Sequence, residues 1–485
     1  MIEEVLRPQF EYELQHVLPG YLLIEQALLV EYVRLEILRP AEARSIARLL
    51  AAITPEALQA HAAAAMTDIA FAIETLVAGG LQPSVPLWHV DRSRNDLQAC
   101  AQLMALRQQV LAIADELLAL IDAALALATR TTRIPMPGYT HYQAAEVISP
   151  GFYLAAMAEQ MLQSCQQLLA TYDLINASPL GAGAIAGQHL AWDRAQLARL
   201  LGFARAQPHA LVCVASREWA LRVSAEIAIL GTSLSRFATD LLLWGGSQHG
   251  FIDLPDQLAG ISSAMPQKKN FPILERIRGR TAHMTALFTD LAMGQRSTPF
   301  TNLVEVSKEA GANLIHQLSS ARSTLRLCTL VLKNLEFRED RLLDACASEF
   351  FGGFQLANTL ALAHGIPYRR AQVLTGRFIL ALVERGAAPC DADATLLAAI
   401  CAAEGHTVTL DEPSLQAIFD SEQNLWAKQS TDSTNPQAVE LLLHDQQARY
   451  LALQASLDKR QSSLAVVPTL IQAALGLDSV HHRPQ

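Results

Sequence analysis

The stretch LMALRQQVLAIADELLALIDAALALA, residues 103–128, decides the fold. Its apolar positions fall at Leu103, Leu106, Val110, Ile113, Leu117, Leu120, Ala124 and Leu127, a three-four alternation that keeps one face of a helix apolar over several turns. Asp115, Glu116 and Asp122 interrupt its most apolar part, and a membrane span would not readily bury three acids. The reading is therefore a long helix in a soluble bundle. Working outward, Leu154, Ala158, Met161, Cys165, Leu168, Tyr172 and Ile175 repeat the pattern, and further long stripes cover 217–244, 274–293 and 304–335. Stripes this long pack best side by side at the shallow crossing that three-four ridges favour. Their many alanines let helices approach closely.

Strand signals are sparse; Ala145–Ile148, beside Pro150, is the one short piece expected to be extended. The breaks between helices fall at Met136-Pro137-Gly138, Gly181–Gly187 and Gly260–Pro272, and binding residues concentrate on such loops. After about Phe350 the stripes shorten, interrupted at Gly365-Ile366-Pro367, 386–393, 405–413 and 429–436. The expected class is all-α, with an N-terminal helical domain (1–98), a central long-helix bundle (99–349) and a small helical C-terminal domain (350–485). The tail 481–485 reads as frayed.

Composition narrows the function classes. The chain has 485 residues, of which 51% are hydrophobic and 17% charged, far too apolar for a disordered chain and apolar enough to expect surface buried between subunits. Lys and Arg number 37 against 47 Asp and Glu, a net charge of −10 without a long basic run. That balance argues against nucleic acid or a membrane surface as partner, while leaving room for a local cationic pocket that binds a small dianion. Seven scattered cysteines form no C-x-x-C pair, and Glu3 and Glu4 open a chain with no apparent signal peptide. A cytoplasmic protein with reduced thiols is expected.

Three loops carry the chemistry. In Gly260-Ile-Ser-Ser-Ala-Met-Pro-Gln-Lys-Lys-Asn270, hydroxyls, an amide and fixed positive charge suit a carboxylate or its negative transition state; a solvated capping loop is the plainer alternative. In Pro137-Gly-Tyr-Thr-His141-Tyr-Gln143, an imidazole sits beside a Pro-Gly turn with Thr140 and Gln143 flanking it, which suits proton transfer. In Asp91-Arg-Ser-Arg-Asn-Asp96, two arginines and an asparagine either form a salt-bridged helix cap or clamp an acid. Gly181–Gly187 superficially resembles a dinucleotide fingerprint, but its spacing is off by one and a helical stretch precedes it. No metal-binding or acyl-serine motif is present, so neither metal nor cofactor is expected.

Together and in this order, the loops resemble the fumarase/aspartase superfamily, and most closely its argininosuccinate lyase family. The carrying residues are Arg92-Ser-Arg-Asn-Asp96; Met136-Pro-Gly-Tyr-Thr-His141 with Gln143; Ser178-Pro-Leu-Gly-Ala-Gly-Ala184 with Ala186-Gly187; and Ser262-Ser-Ala-Met-Pro-Gln-Lys-Lys-Asn270 with Glu275. The resemblance implies a three-domain helical subunit, a homotetramer with shared active sites, and cofactor-free elimination of fumarate from a small dicarboxylate substrate. It implies Ser262 as the base that abstracts a proton, with Lys268 and Asn270 holding the substrate carboxylate and the aci-carboxylate intermediate. Thr140 matches a carboxylate ligand, and Ser93, Arg94, Asn95 and Gln143 match the substrate-binding surroundings. His141 pairs in the family with a glutamate, here Glu275, and Lys308 matches a lysine that touches the substrate beyond the fumarate.

The departures lie on the leaving-group side. Phe300 and Glu305 stand where the family usually has a tyrosine and a glutamine; the first removes a hydroxyl and the second favours a cationic group over a carboxylate. A Gly-Gly-Arg-Phe segment is absent, Asp-Ile-His becomes Asp68-Ile69-Ala70, Ile261 replaces a glycine before the serine pair, Phe271 displaces a proline, and Ser216 replaces an acid. The expectation is a fumarate-releasing C–N lyase acting on an N-substituted aspartate. An ordinary argininosuccinate lyase, or a non-catalytic crystallin-like homologue, are the alternatives.

Overall fold

The structure, a computed structural model, describes residues 1–59 and 68–477; the tail 481–485 lies outside them. The first five helices are α1 (Arg7–His16), α2 (Leu18–Arg34), α3 (Pro40–Ala51), α4 (Pro55–Gln59) and α5 (Ile69–Gly80). Asp68 caps α5 by accepting from the Phe71 amide. Helix α2 lies across both α3 and the helix that follows.

That helix, α6 (Arg94–Arg130), has 37 residues and so is about 55 Å long. The Ser93 hydroxyl starts it by accepting from the Asn95 amide, and its apolar stripe is buried along its whole length. It leads into a hairpin of β1 (Met136–Thr140) and β2 (Gln143–Ile148), then α7 (Pro150–Ile175), which returns antiparallel along α6. A Cβ on Gly151, at the start of α7, would lie 2.7 Å from the Ala128 carbonyl oxygen and the Thr132 Cα, so only glycine allows this crossing.

Two-residue strands β3 (Ala177–Ser178) and β4 (Arg205–Ala206) pair around α8 (Arg194–Leu200), and α9 (Ala210–Ala215) precedes α10 (Glu218–Gly245). By length and apolarity α10 is the one helix among the described residues suited to crossing a membrane. Its stripe packs instead on α11 (Pro272–Gln295), reached through β5 (Ile252–Asp253), β6 (Gly260–Ile261) and β7 (Lys269–Asn270). Helix α12 (Leu314–Asn334) completes the bundle against α6 and α11. The stripe expected from 304 becomes helical only at Leu314; residues 305–309 form a π-turn that buries Val306 and Ser307 and leaves Glu305 and Glu309 outside.

After β8 (Glu336–Phe337) come α13 (Glu339–Ala347), α14 (Gly353–His364), α15 (Tyr368–Glu384), α16 (Ala394–Ala402), α17 (Glu412–Phe419) and α18 (Ser421–Trp426). Their second core includes Leu356, Leu360, Leu374, Phe378, Leu397 and Leu415. Helices α19 (Pro436–Ala465) and α20 (Val467–Ala474) leave it: α19 lies on α6 and α7, with Arg449 on Glu159 and Arg460 on Asp173, and α20 lies on α2. Helices α19 and α20 therefore pack with the bundle, although they follow the small core in sequence.

Candidate active site

The direction of each helix sorts the sequence-derived residues. Asp96, near the start of α6, meets the loop after α7, whereas Ala128 and Thr132, at its end, meet the start of α7. Gln102 of α6 accepts from Arg217, just before α10, and donates to the Ser307 carbonyl in the π-turn. At the other end, Tyr153 near the start of α7 donates to Asp240 near the end of α10, and Gly245 touches Phe271 beside the start of α11. Ser93, Arg94, Asn95, Phe300, Glu305 and Lys308 thus lie at one end of the bundle. Thr140, His141, Gln143, Ser262, Lys268, Asn270 and Glu275 lie at the other. One chain does not bring the two sets together.

The first end is tightly organised. Asp96, 1% exposed, accepts from the amides of Gly181 (2.9 Å) and Gly183 (3.1 Å), and burial raises its pKa to about 6 against the pull of those two N–H groups. Asn95 donates to the Ala184 carbonyl, and Asp91 accepts from the amides of His189 and Leu190 and from the Trp192 indole. The glycine-rich loop is therefore an organised partner of the α6 start. At Gly183, φ is +63° and a Cβ would fall 2.4 Å from the Gly187 oxygen. The two arginines divide: Arg92 is buried against Glu25, while Arg94 reaches outward to Asp68 at 2.7 Å. The flanking His89 is pushed down to about 4 by burial and by Arg92.

One turn along α6, Gln98 and Gln102 line a cavity of about 440 Å³, closed on other sides by Glu13, Tyr12, Arg217 and Lys308. Lys308 pairs with Glu13 at 3.5 Å. Phe300 and Glu305 are exposed and do not line this cavity. Gln98, Glu13 and Arg217 are the residues that sequence reading did not single out, while Asp91 and Asp96 bounded a quoted motif without a role of their own. The available signal was polarity inside apolar stripes, notably Gln98 and Gln102 four residues apart.

The second end is exposed. Thr140, His141 and Gln143 project from the hairpin, whose turn is His141-Tyr142 with φ of +54° and +62°. The turn falls there and not at Pro137-Gly138, which is part of β1. Two non-glycine residues in the left-handed region cost about 1–2 kcal/mol each, so the surroundings must hold them. Val147 does so by burying with Cys346, Phe351 and Leu425, and Glu146 by pairing with Lys428 at 2.7 Å. On the β6–β7 loop, the Ser262 Oγ accepts from the amides of Met265 (3.0 Å) and Ala264 (3.4 Å). Lys268 and Glu275 are exposed, Asn270 is half-buried, and Lys269 is engaged with Asp253 and Asp256. No metal-sized cluster of His, Cys, Asp or Glu occurs among the described residues.

A family model described as lyase matches residues 55–284. The argininosuccinate lyase of Arthrospira platensis is 31% identical over 323 residues, 66% of this chain and 68% of the relative. That of Geobacillus kaustophilus is 32% identical over 326 residues, covering 66% and 70%. The crystal structure of EDDS lyase in complex with formate superposes with a TM-score of 0.86 over 96% of this chain and 94% of that one, at 22% identity, a likeness of fold.

Proposed function

This chain belongs to the argininosuccinate lyase family and is a carbon–nitrogen lyase, and from that premise we propose that it eliminates fumarate from an N-substituted aspartate with Ser262 as the base. Ser262 Oγ takes the proton from the carbon beside a carboxylate, and the electron pair moves into that carboxylate as a dianionic aci-carboxylate. Lys268, Asn270 and Thr140 hold it. The C–N bond then breaks, its electron pair leaves with nitrogen, and the His141–Glu275 pair supplies the nitrogen's proton. Ser93, Arg94, Asn95 and Gln143 orient the dicarboxylate, and Lys308 faces the leaving group.

The observation that carries this reading is the pair of backbone N–H groups aimed at Ser262 Oγ. A serine hydroxyl is a poor base, and donors fixed before the reaction lower the cost of its alkoxide. The strained His141 turn supports the same end of the molecule as the site of chemistry, since backbone strain clusters at active sites.

The reading requires more than one chain. Residues about 55 Å apart along α6 cannot share a substrate within a subunit, but copies packed side by side in opposite directions bring the α6 start of one to the Ser262 loop of another. Ile229, Phe288, Met293 and Leu330, exposed on α10, α11 and α12, supply the apolar surface for such packing. A homotetramer with shared sites, working in the cytoplasm, is the proposed assembly; all seven cysteines are free. The test is fumarate release from argininosuccinate and a broad panel of N-substituted aspartates, with Ser262→Ala alongside. Serine-dependent release from at least one compound is expected. No release across the panel by folded protein would overturn the reading.

A further inference from the structure

The two arms of the Ser262 loop are anchored unequally. Residues 261–268 are exposed apart from the half-buried Ser262, and Ile261, on the arm that leads to the serine, is 92% exposed. The arms meet through two residue pairs of β6 and β7, Gly260 with Asn270 and Ile261 with Lys269. The returning arm has further ties. Lys269 Nζ lies 2.9 Å from Asp253 Oδ1 and 3.1 Å from Asp256 Oδ1. Asp253 is a fixed point: it stands between buried Ile252 and Leu254, its Oδ1 also accepts from the Leu254 amide, and β5 pairs with β8 directly after α12. Two residues beyond Lys269, the Phe271 ring packs on Gly245 at the end of α10, where a Cβ would come within 2.9 Å of it. Lys269 and Phe271 thus tie this arm to β5 and to α10.

Side chains alternate along an extended segment, and here the alternation separates two jobs. Lys269 and Phe271 anchor the arm; Lys268 and Asn270, in the alternate positions, are the residues proposed to hold the substrate carboxylate. We propose that Lys269 is a positioning residue of this site: clasped by Asp253 and Asp256, it fixes the arm that presents Lys268 and Asn270, so that the carboxylate clamp is set before the reaction. The role rests on the fumarate-lyase reading for what the clamp holds. The clasp also neutralises Lys269 within the chain, whereas Lys268 pairs with no carboxylate among the described residues and keeps its charge for the substrate. Exposed ion pairs contribute little to stability, so the clasp acts through geometry. A clamp displaced by about 1 Å can cost about 100-fold in rate.

The experiment compares the full protein with Lys269→Met, with Lys269→Arg, and with a triple variant that adds Asp253→Asn and Asp256→Asn to Lys269→Met. Fumarate is the binding probe, measured calorimetrically, and turnover is followed with an N-substituted aspartate that the wild type converts. Lys269→Met binds fumarate about 3- to 10-fold more weakly, the worth of a misaligned hydrogen bond, with unchanged stoichiometry and Tm. Its kcat falls further, by about 10- to 100-fold, because the dianionic intermediate depends on the clamp more than fumarate does. Lys269→Arg, which keeps the charge and the reach, restores most of both. The triple variant stays as impaired as Lys269→Met, since the tie is still missing. Wild-type fumarate binding in Lys269→Met overturns the role, as does a Tm loss that parallels the other losses. Recovery in the triple variant overturns it too, by reducing Lys269 to a mask for two acids. A wild type that binds fumarate but releases none from any compound removes the lyase reading alone, and the affinities still decide the role of Lys269; a wild type that binds no fumarate removes both.

Discussion

The two ends of the bundle are built to different standards. At the start of α6, Asp91, Asn95 and Asp96 tie the 181–192 loop down with hydrogen bonds within the chain, and Arg92 is sealed against Glu25. At the opposite end Ile261 is 92% exposed, Tyr142 is 84% exposed, and the Ser262 loop holds itself by a short hairpin and the Lys269 ion pairs. The first end is held together within one subunit, whereas the second presents the side chains proposed for catalysis to open space. Binding surfaces can be rigid without a partner; a proton-abstracting loop gains from being completed only when water is excluded.

The largest effect falls at the open end. Ser262→Ala should lower kcat by about 10³-fold, within the range for loss of a general base, with no change in thermal unfolding. A stability loss matching the activity loss would show the serine to be a capping residue. At the closed end, Gly183→Ala must move the Gly187 carbonyl and adopt a left-handed φ. It should cost about 1–3 kcal/mol, read as a lowered Tm, and weaken substrate binding through the displaced loop.

Asp96→Asn is a smaller change with a pH signature. The raised folded pKa means that the native state keeps this proton where the unfolded chain, near 3.8, has lost it. The stability contribution is therefore greatest below about pH 4, declines as pH rises to about 6, and stays low above. Asp96→Asn should abolish this component of the pH–stability curve; an unchanged curve would remove Asp96 from that role. The smallest effect belongs to Lys428→Ala at the open end: its partly exposed pair with Glu146 is worth under about 1 kcal/mol. A larger loss there than for Gly183→Ala would reverse the contrast between the ends.

Much of this was legible in the sequence, because long leucine and alanine stripes leave few alternatives to parallel and antiparallel helices, and α6, α7, α10 and α11 fall where the stripes do. The hairpin was less legible. His141-Tyr142 has none of the glycine, asparagine or aspartate that marks a tight hairpin turn, and the turn is placed by Val147 burying against α13 and α18, residues some 200 to 280 positions away. The return of α19 to the bundle was hidden for a similar reason, since an apolar stripe does not state which neighbour it covers. Glu13 escaped notice because a single glutamate carries no motif; its burial beside Lys308 depends on how α1 folds over the π-turn. The loops proposed for catalysis are each local in sequence, whereas the cavity beside the α6 start is lined by stretches far apart in the chain.

The account stands most directly on the claim that one site draws on opposite ends of different chains. Asn95→Ala disables one end and Ser262→Ala the other, and the two purified variants can be unfolded, mixed and refolded into mixed oligomers. Recovery of fumarate-forming activity in the mixture, absent from either variant refolded alone, is the predicted result, because some sites then combine an intact Asn95 with an intact Ser262. Mixed oligomers that form and stay inactive would contradict it.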